Sequence, residues 1–376
     1  AAIKIYSQEE QELNAFSSRN RGYRDTAIQL ARTRSTLFPL LEGISSISLL
    51  LLLALGSGQL QQGSLSIGSL VALILYVERL VFPTALLGFT LNTFQTGQVS
   101  LERVEELLAR RPLISDPVEP EHLDLPVRGD LEARNLHIRY DGSDSDTLDG
   151  LNFRIASGEM VAVVGPVGCG KTTLARALGR MVEVPGGQLF LDGHDLTCLR
   201  LDDLREQIAL VPQEGYLFTS SLADNLRYGE PEAGLNRVEA AAQQARLLAD
   251  VRGFPDGMNT LVGERGITLS GGQRQRTALG RALLLKAPVL VLDDALASVD
   301  NNTAAEILAS VRRQTQRTIV MISHQLSAAA ACDRILVLDR GRLVQQGHHT
   351  DLIREQGLYR SLWEREQAAE RLESVA

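Results

Sequence analysis

Cysteine is scarce and dispersed in this chain. Cys169, Cys198 and Cys332 are all it contains, and no two stand at a C-x-x-C spacing. That excludes a disulfide framework and a cysteine metal site, and the thiols read as reduced cytosolic ones. A basic footprint is missing as well. The formal net charge is −8, whereas nucleic-acid binders carry clustered positive charge, so nucleic acid is not expected as a partner. No signal peptide is visible. The chain opens on Ala1 rather than Met, within an amphipathic pattern. The expectation is a fragment whose N-terminal part is missing. Its length leaves room for roughly two or three domains.

Residues 1–36 are polar and helix-prone, with Arg19, Arg21, Arg24, Arg32 and Arg34 ahead of the first apolar run. Those arginines read either as a solvated helix face or as the positive flank of a membrane span. The next segment favours the span. Residues 37–55 hold one charge, Glu42, and a helix rising about 1.5 Å per residue would nearly cross a hydrocarbon core of roughly 30 Å. An uncharged connector, 56–68, leads to a second long run over 67–94. A buried helical hairpin of a soluble protein is the alternative, but such helices seldom run this long. Glu78 and Arg79, adjacent in the second run, are costly in lipid and should face a bundle interior or an aqueous cavity. By the positive-inside rule the two charged flanks are cytoplasmic and the connector external. Two spans form no translocation pathway by themselves.

Pro112, Pro117, Pro120 and Pro126 break periodicity within an acidic stretch, the mark of a linker over 111–129. Strands are expected at 131–140, 151–155 and 160–164. Gly165, Pro166, Val167, Gly168, Cys169, Gly170, Lys171 and Thr172 then follow a strand and, with Thr173, open a helical run to Val182. This is the strand–loop–helix context that GxxxxGK[ST] requires. Glycines let backbone N–H groups converge on phosphate oxygens, and the helix N-terminus adds a favourable dipole. Lys171 is placed to contact the β- and γ-phosphates of ATP, and the Thr172 hydroxyl to ligate Mg²⁺. Cys169 contributes its backbone N–H, and its thiol is expected to make the site sensitive to thiol reagents.

A second constellation lies at 269–300. Leu269, Ser270, Gly271, Gly272 and Gln273 form a polar, glycine-rich turn before a helical run ending near Lys286. After Pro288, four apolar residues, 289–292, are closed by Asp293 and Asp294. Such a run reads as a fully buried parallel strand. Acids at its carboxyl end sit where open α/β sheets bind ligands.

The order and spacing of these motifs resemble ATP-binding cassette (ABC) ATPases, with 269–273 as signature and 289–294 as Walker B. The resemblance implies a multidomain chain: all-α transmembrane helices (1–110), a linker (111–129), then an α/β P-loop NTPase cassette (130–376) with a helical subdomain over about 215–275. It implies that Tyr140 stacks on adenine, that Gln213 senses Mg²⁺ beside Thr172 and Asp293, and that His324 contacts the γ-phosphate and attacking water. It implies that Ser270, Gly271, Gly272, Gln273 and Asp300 reach a nucleotide held by a second subunit, with residues 298–300 as the segment crossing the interface. Residues 263–266 resemble the short loop that exporters set against their intracellular helices. The pair His348 and His349 resembles the family's tail and lacks a third metal ligand.

One position departs from the family pattern. Asp294 stands where a catalytic Glu is usual, and its carboxylate withdraws by roughly 1.5 Å, one C–C bond. A base must stay within hydrogen-bond reach of its water. A slow or degenerate site is therefore expected here, in a heterodimer with a second half-transporter, against a homodimer in which a shift compensates. The resemblance implies an exporter of drug, lipid or peptide type in the bacterial inner membrane, its cassette cytoplasmic. Alternatives are a regulatory ATP-binding subunit with little hydrolysis and a soluble ABC ATPase of nucleic-acid repair or translation.

Overall fold

The computed structural model describes residues 2–110, 112–263, 266, 268–297, 299, 301–314 and 317–373. Asp300, Ser298, Glu264 and Arg265 of the expectations above lie outside them. The chain divides into two compact units, Ala1–Arg111 and Pro112–Ala376.

The first unit is helical: α1 (Ala2–Ile5), α2 (Glu9–Gln61) and α3 (Ile67–Ala109). Glu9, Glu10 and Glu12 in the first turn of α2 complement its dipole. Ser66 caps α3, its Oγ accepting from the Ser69 N–H at 3.0 Å. The connector is shorter than the expected 56–68, because α2 runs on through Gly56 and Gly58 to Gln61. Gly56 stays helical where α3 comes close: a Cβ there would lie 2.5 Å from Leu70 Cδ1. Two segments, Pro39–Gln61 and Ile67–Ala109, are long and apolar enough to cross a membrane. Their apolar side chains face outward, with Leu50, Leu55, Phe82 and Phe89 each at least 66% exposed. A buried soluble hairpin would hide such residues, and lipid or neighbouring helices are their natural surroundings. Hydroxyls within the spans satisfy themselves on the preceding turn, as Ser48 does on the Ile44 carbonyl at 2.8 Å and Thr90 on Leu86 at 2.9 Å.

Among the described residues the second unit forms two sheets. Strands β1 (Leu131–Ile138), β2 (Leu148–Ile155), β4 (Leu189–Leu191) and β5 (His194–Asp195) form an antiparallel one ordered β2-β1-β4-β5. The other holds β3 (Met160–Val164), β6 (Ile208–Val211), β7 (Val289–Asp293), β8 (Thr318–Ile322), β9 (Arg334–Asp339) and β10 (Arg342–Gly347) in the order β10-β9-β3-β8-β7-β6. It is parallel except for the edge strand β10.

Strands β3, β7 and β8 are buried along their whole length, as continuous apolar runs demand. Alternate residues feed opposite faces. Met160, Ala162, Leu290, Leu292, Ile319 and Met321 meet α9 (Gly271–Leu284) and α10 (Asn301–Gln314). Val161, Val163, Val289, Val291, Val320 and Ile322 meet α4 (Lys171–Leu178) and the antiparallel sheet. Helix α4 is shorter than the run expected to Val182. It stops at Gly179, and Arg180 beyond it takes a left-handed φ of 44°. Strand β1 likewise ends at Ile138, two residues before Tyr140.

The proline-rich segment after 112 is laid on this second unit. The Asp116 carboxylate accepts from the Leu201 N–H at 2.8 Å, Glu121 N–H donates to the Cys198 carbonyl at 2.8 Å, and the buried Arg180 donates to the Ser115 carbonyl at 3.4 Å. Helices α5 (Leu201–Gln207), α6 (Leu222–Leu226), α7 (Leu235–Gln244) and α8 (Leu248–Val251) follow. The region after 215 has its own core, with Leu217, Leu222, Leu226, Val238, Leu247 and Leu269 among its buried members. Helices α11 (Leu326–Ala329), α12 (His349–Leu352) and α13 (Leu358–Glu373) close the chain.

Candidate nucleotide site

Strand β3 delivers the glycine-rich loop at its carboxyl end, and α4 begins immediately after it. Gly170, the residue before α4, has φ 103°, and a Cβ there would lie 2.6 Å from Leu148 Cδ2 and 2.8 Å from the Thr147 carbonyl. Only glycine fits both the conformation and the space. At Gly165 a Cβ would run into the Leu338 carbonyl. The Lys171 ammonium is turned back into the loop, donating to the carbonyls of Gly165 at 2.8 Å and Pro166 at 2.9 Å. A weaker contact to Cys169 Sγ at 3.8 Å engages its third donor, and the charge sits at the loop's centre.

Thr172, on the first turn of α4, donates its hydroxyl to Asp293 Oδ1 at 3.1 Å. Asp293 is buried at the end of β7, and burial pushes its carboxyl above the ordinary range, with the neighbouring Asp294 acting in the same sense and the Thr172 hydrogen bond opposing. A hydroxyl and a carboxylate side by side are hard oxygen donors, the kind Mg²⁺ takes. Asp294 follows with a left-handed φ of 51°, its N–H donating to the Ile322 carbonyl at 3.0 Å. Aspartate is among the few residues that enter this region readily. A cleft of ≈ 290 Å³ gathers Gly168, Lys171, Thr172, Thr173, Gln213, Asp293, Asp294 and His324 on its wall. Gln213 and His324 are exposed there, each shortly after a parallel strand, β6 and β8.

Tyr140 stands at the loop's flank, its hydroxyl 3.3 Å from Thr173 Oγ1 and its residue surface 38% exposed. Cys169 departs from expectation. It is 3% exposed, and burial raises its thiol pKa against the opposing pull of Lys171. A buried protonated thiol is a poor nucleophile, so sensitivity to thiol reagents does not follow.

The signature residues are elsewhere. Ser270 caps α9, accepting from the Gln273 N–H at 3.3 Å, while Gln273 Oε1 accepts from the Ser270 N–H at 3.0 Å. This reciprocal pair is a capping box, and Gln273 also donates to Asp250 at 3.1 Å. Among the described residues none of Ser270, Gly271, Gly272 and Gln273 lines the cleft of Lys171. The chain does not bring its own signature onto its own phosphate loop.

Sequence reading missed Thr147, which also lines the cleft and whose carbonyl faces Gly170. A threonine in a turn between strands carries no local signal of that placement. His349 is a structural residue: Nδ1 lies 2.8 Å from the Tyr359 hydroxyl and the ring centroid 4.7 Å from that of Trp363. The cluster His137, Asp146 and Asp149 has metal-ligand composition, but Arg139 and Arg342 already neutralise its carboxylates, each at 2.7 Å.

Residues 148–297 match the family model described as ABC transporter, and residues 1–84 the one described as ABC transporter transmembrane region. The chain is 33% identical over 367 residues to the multidrug resistance-like ATP-binding protein MdlA of Escherichia coli (strain K12), covering 97% of this chain and 62% of that protein. It is 34% identical over 365 residues to the ATP-dependent lipid A-core flippase of Burkholderia orbicola (strain AU 1054), covering 96% of this chain and 60% of the relative. A solved bacterial Atm1-family ABC exporter with ATP bound aligns with a TM-score of 0.87 at 34% identity, over 97% of this chain and 64% of that one. The chain thus spans less than two thirds of the length of these relatives.

Proposed function

The chain belongs to the ABC transporter family, with membrane helices and ATP-binding domain fused as in exporter half-transporters, and from that premise we propose that it is the ATP-hydrolysing subunit of an exporter for a drug, lipid or peptide. The observation that carries this reading is the cleft in which Lys171, Thr172, Asp293 and His324 converge, with the signature residues absent from its wall. The loop N–H groups and Lys171 bind the β- and γ-phosphates, and Tyr140 stacks on the base. Thr172, Gln213 and Asp293 are the groups that would hold Mg²⁺, which supplies charge neutralisation on the phosphates. His324 faces the γ-phosphate.

A second half-transporter lays its signature over this nucleotide, and Ser270, Gly271, Gly272 and Gln273 of this chain do the same for the partner's; Asp300 is assigned to that same interface. ATP draws the cassettes together and hydrolysis releases them. The cassette lies on the cytoplasmic side of a bacterial inner membrane.

Asp294 decides between turnover and storage at this chain's own site. Its short carboxylate holds the attacking water at the edge of reach, and misplacement on the order of 1 Å costs about a hundredfold in rate. We therefore favour a heterodimer in which this site is slow, with a largely non-hydrolysing regulatory subunit as its limiting case. Steady-state ATPase of the assembled transporter tests this. Asp294→Glu is expected to raise turnover at this site by about tenfold or more. Equal rates for the two proteins, measured with and without the partner, would remove the shortened-base reading.

A further inference from the structure

The backbone around His324 is tied down at two points. On its N-terminal side, Ser323 N–H donates to the Val163 carbonyl at 3.3 Å, and Ser323 Oγ accepts from the Gln325 N–H at 2.9 Å. On its C-terminal side α11 begins, and its first N–H groups have no partner within the helix. They find one in α13. The Glu366 carboxylate accepts from Leu326 N–H at 2.8 Å through Oε2 and 3.0 Å through Oε1, and from Ser327 N–H at 3.3 Å. The exposed imidazole lies between these anchors. It borders both the cleft of Lys171 and a second cavity of ≈ 480 Å³ walled by Gly165, Pro166, Leu362 and Glu366.

Glu366 is delivered there by a firmly held helix. Tyr359, Leu362 and Glu366 recur at the spacing of one helix face. Tyr359 is fully buried, with its N–H donating to Gln345 Oε1 at 3.0 Å. An acid in line with that apolar stripe is out of place unless it meets donors, and here it meets two. Hydrogen bonds to an ionised acceptor are about twice as strong as neutral ones.

We propose that Glu366 is a positioning residue for His324: the C-terminal helix holds the loop that presents the imidazole to the terminal phosphate of the nucleotide. The inference rests on the nucleotide reading of the cleft. The test uses the full chain assembled with its partner, as wild type, Glu366→Ala and Glu366→Gln. Amide hydrogen exchange over residues 323–327 without nucleotide reads the positioning itself. Affinities for ATP and ADP read its consequence, because only ATP carries the phosphate that His324 faces. In Glu366→Ala, exchange is expected about tenfold faster with β8 unchanged, and ATP binding about tenfold weaker with ADP binding unaltered. Glu366→Gln, which keeps one acceptor oxygen, falls between. Unchanged exchange overturns the proposal, and so does a loss shared equally by ATP and ADP, which marks general loosening. A wild type that binds neither ATP nor ADP overturns the nucleotide reading itself, a failure distinct from unchanged exchange.

Discussion

Cys169 occupies the middle of the phosphate loop, with Lys171 Nζ 3.8 Å from its sulfur. A nearby cation favours thiolate, and desolvation disfavours it. Burial is the larger effect here, so the thiol pKa rises. Alkylation by iodoacetamide near neutral pH is therefore expected to be at least about tenfold slower at Cys169 than for an exposed free thiol, and to speed up as pH rises. Peptide mapping by mass spectrometry checks this, and prompt labelling would show the loop to be open. Cys332, also buried, has its thiol pushed up to about 12 and should resist in the same way. Lys171, Thr172 and Asp293 were legible from sequence because their signals are local: a motif of eight consecutive residues and an apolar run ending in acids. The state of Cys169 was not legible, because burial depends on residues far along the chain.

Elements carry the next level of constraint. The loop from β3 to α4 works only if its last residue takes a left-handed conformation against β2. Gly170→Ala places a methyl group on Leu148 and on the Thr147 carbonyl at once. It is expected to weaken ATP binding by at least about tenfold, a loss of roughly 1.4 kcal/mol. Titration with a fluorescent ATP analogue measures the loss, and a variant that binds like wild type would show the loop to be adaptable. The end of α2 shows the converse. The expected connector began at Gly56, and glycine usually punctuates. In the structure Gly56 continues the helix where the Leu70 side chain comes close. The nearest atoms of α3 lie more than ten residues away in sequence, beyond any local pattern.

At the scale of the whole molecule, the two apolar helices of the first unit place the chain in a bilayer. Their outward leucines and phenylalanines would form a large exposed apolar surface in water. Fractionation of cells is therefore expected to leave the protein in the membrane pellet after high-salt washing, with release only by detergent. Complete extraction by salt would return the chain to the soluble ATPases. The proposed second subunit belongs to the same scale. Ser270 and its glycines cap a helix and do not line the cleft of Lys171, and the proposal that they clamp a nucleotide held by another chain rests on that separation.

Length, hydropathy and consecutive motifs determined by themselves that this chain has membrane helices followed by a phosphate-loop domain, because each of those signals arises among near neighbours in sequence. Tertiary structure alone decided that Cys169 is shielded, that Thr147 borders the cleft, and that Glu366 reaches the loop of His324 across 40 residues. Desolvation and hydrogen bonding between distant segments exist only once the sheet and helices have closed on one another.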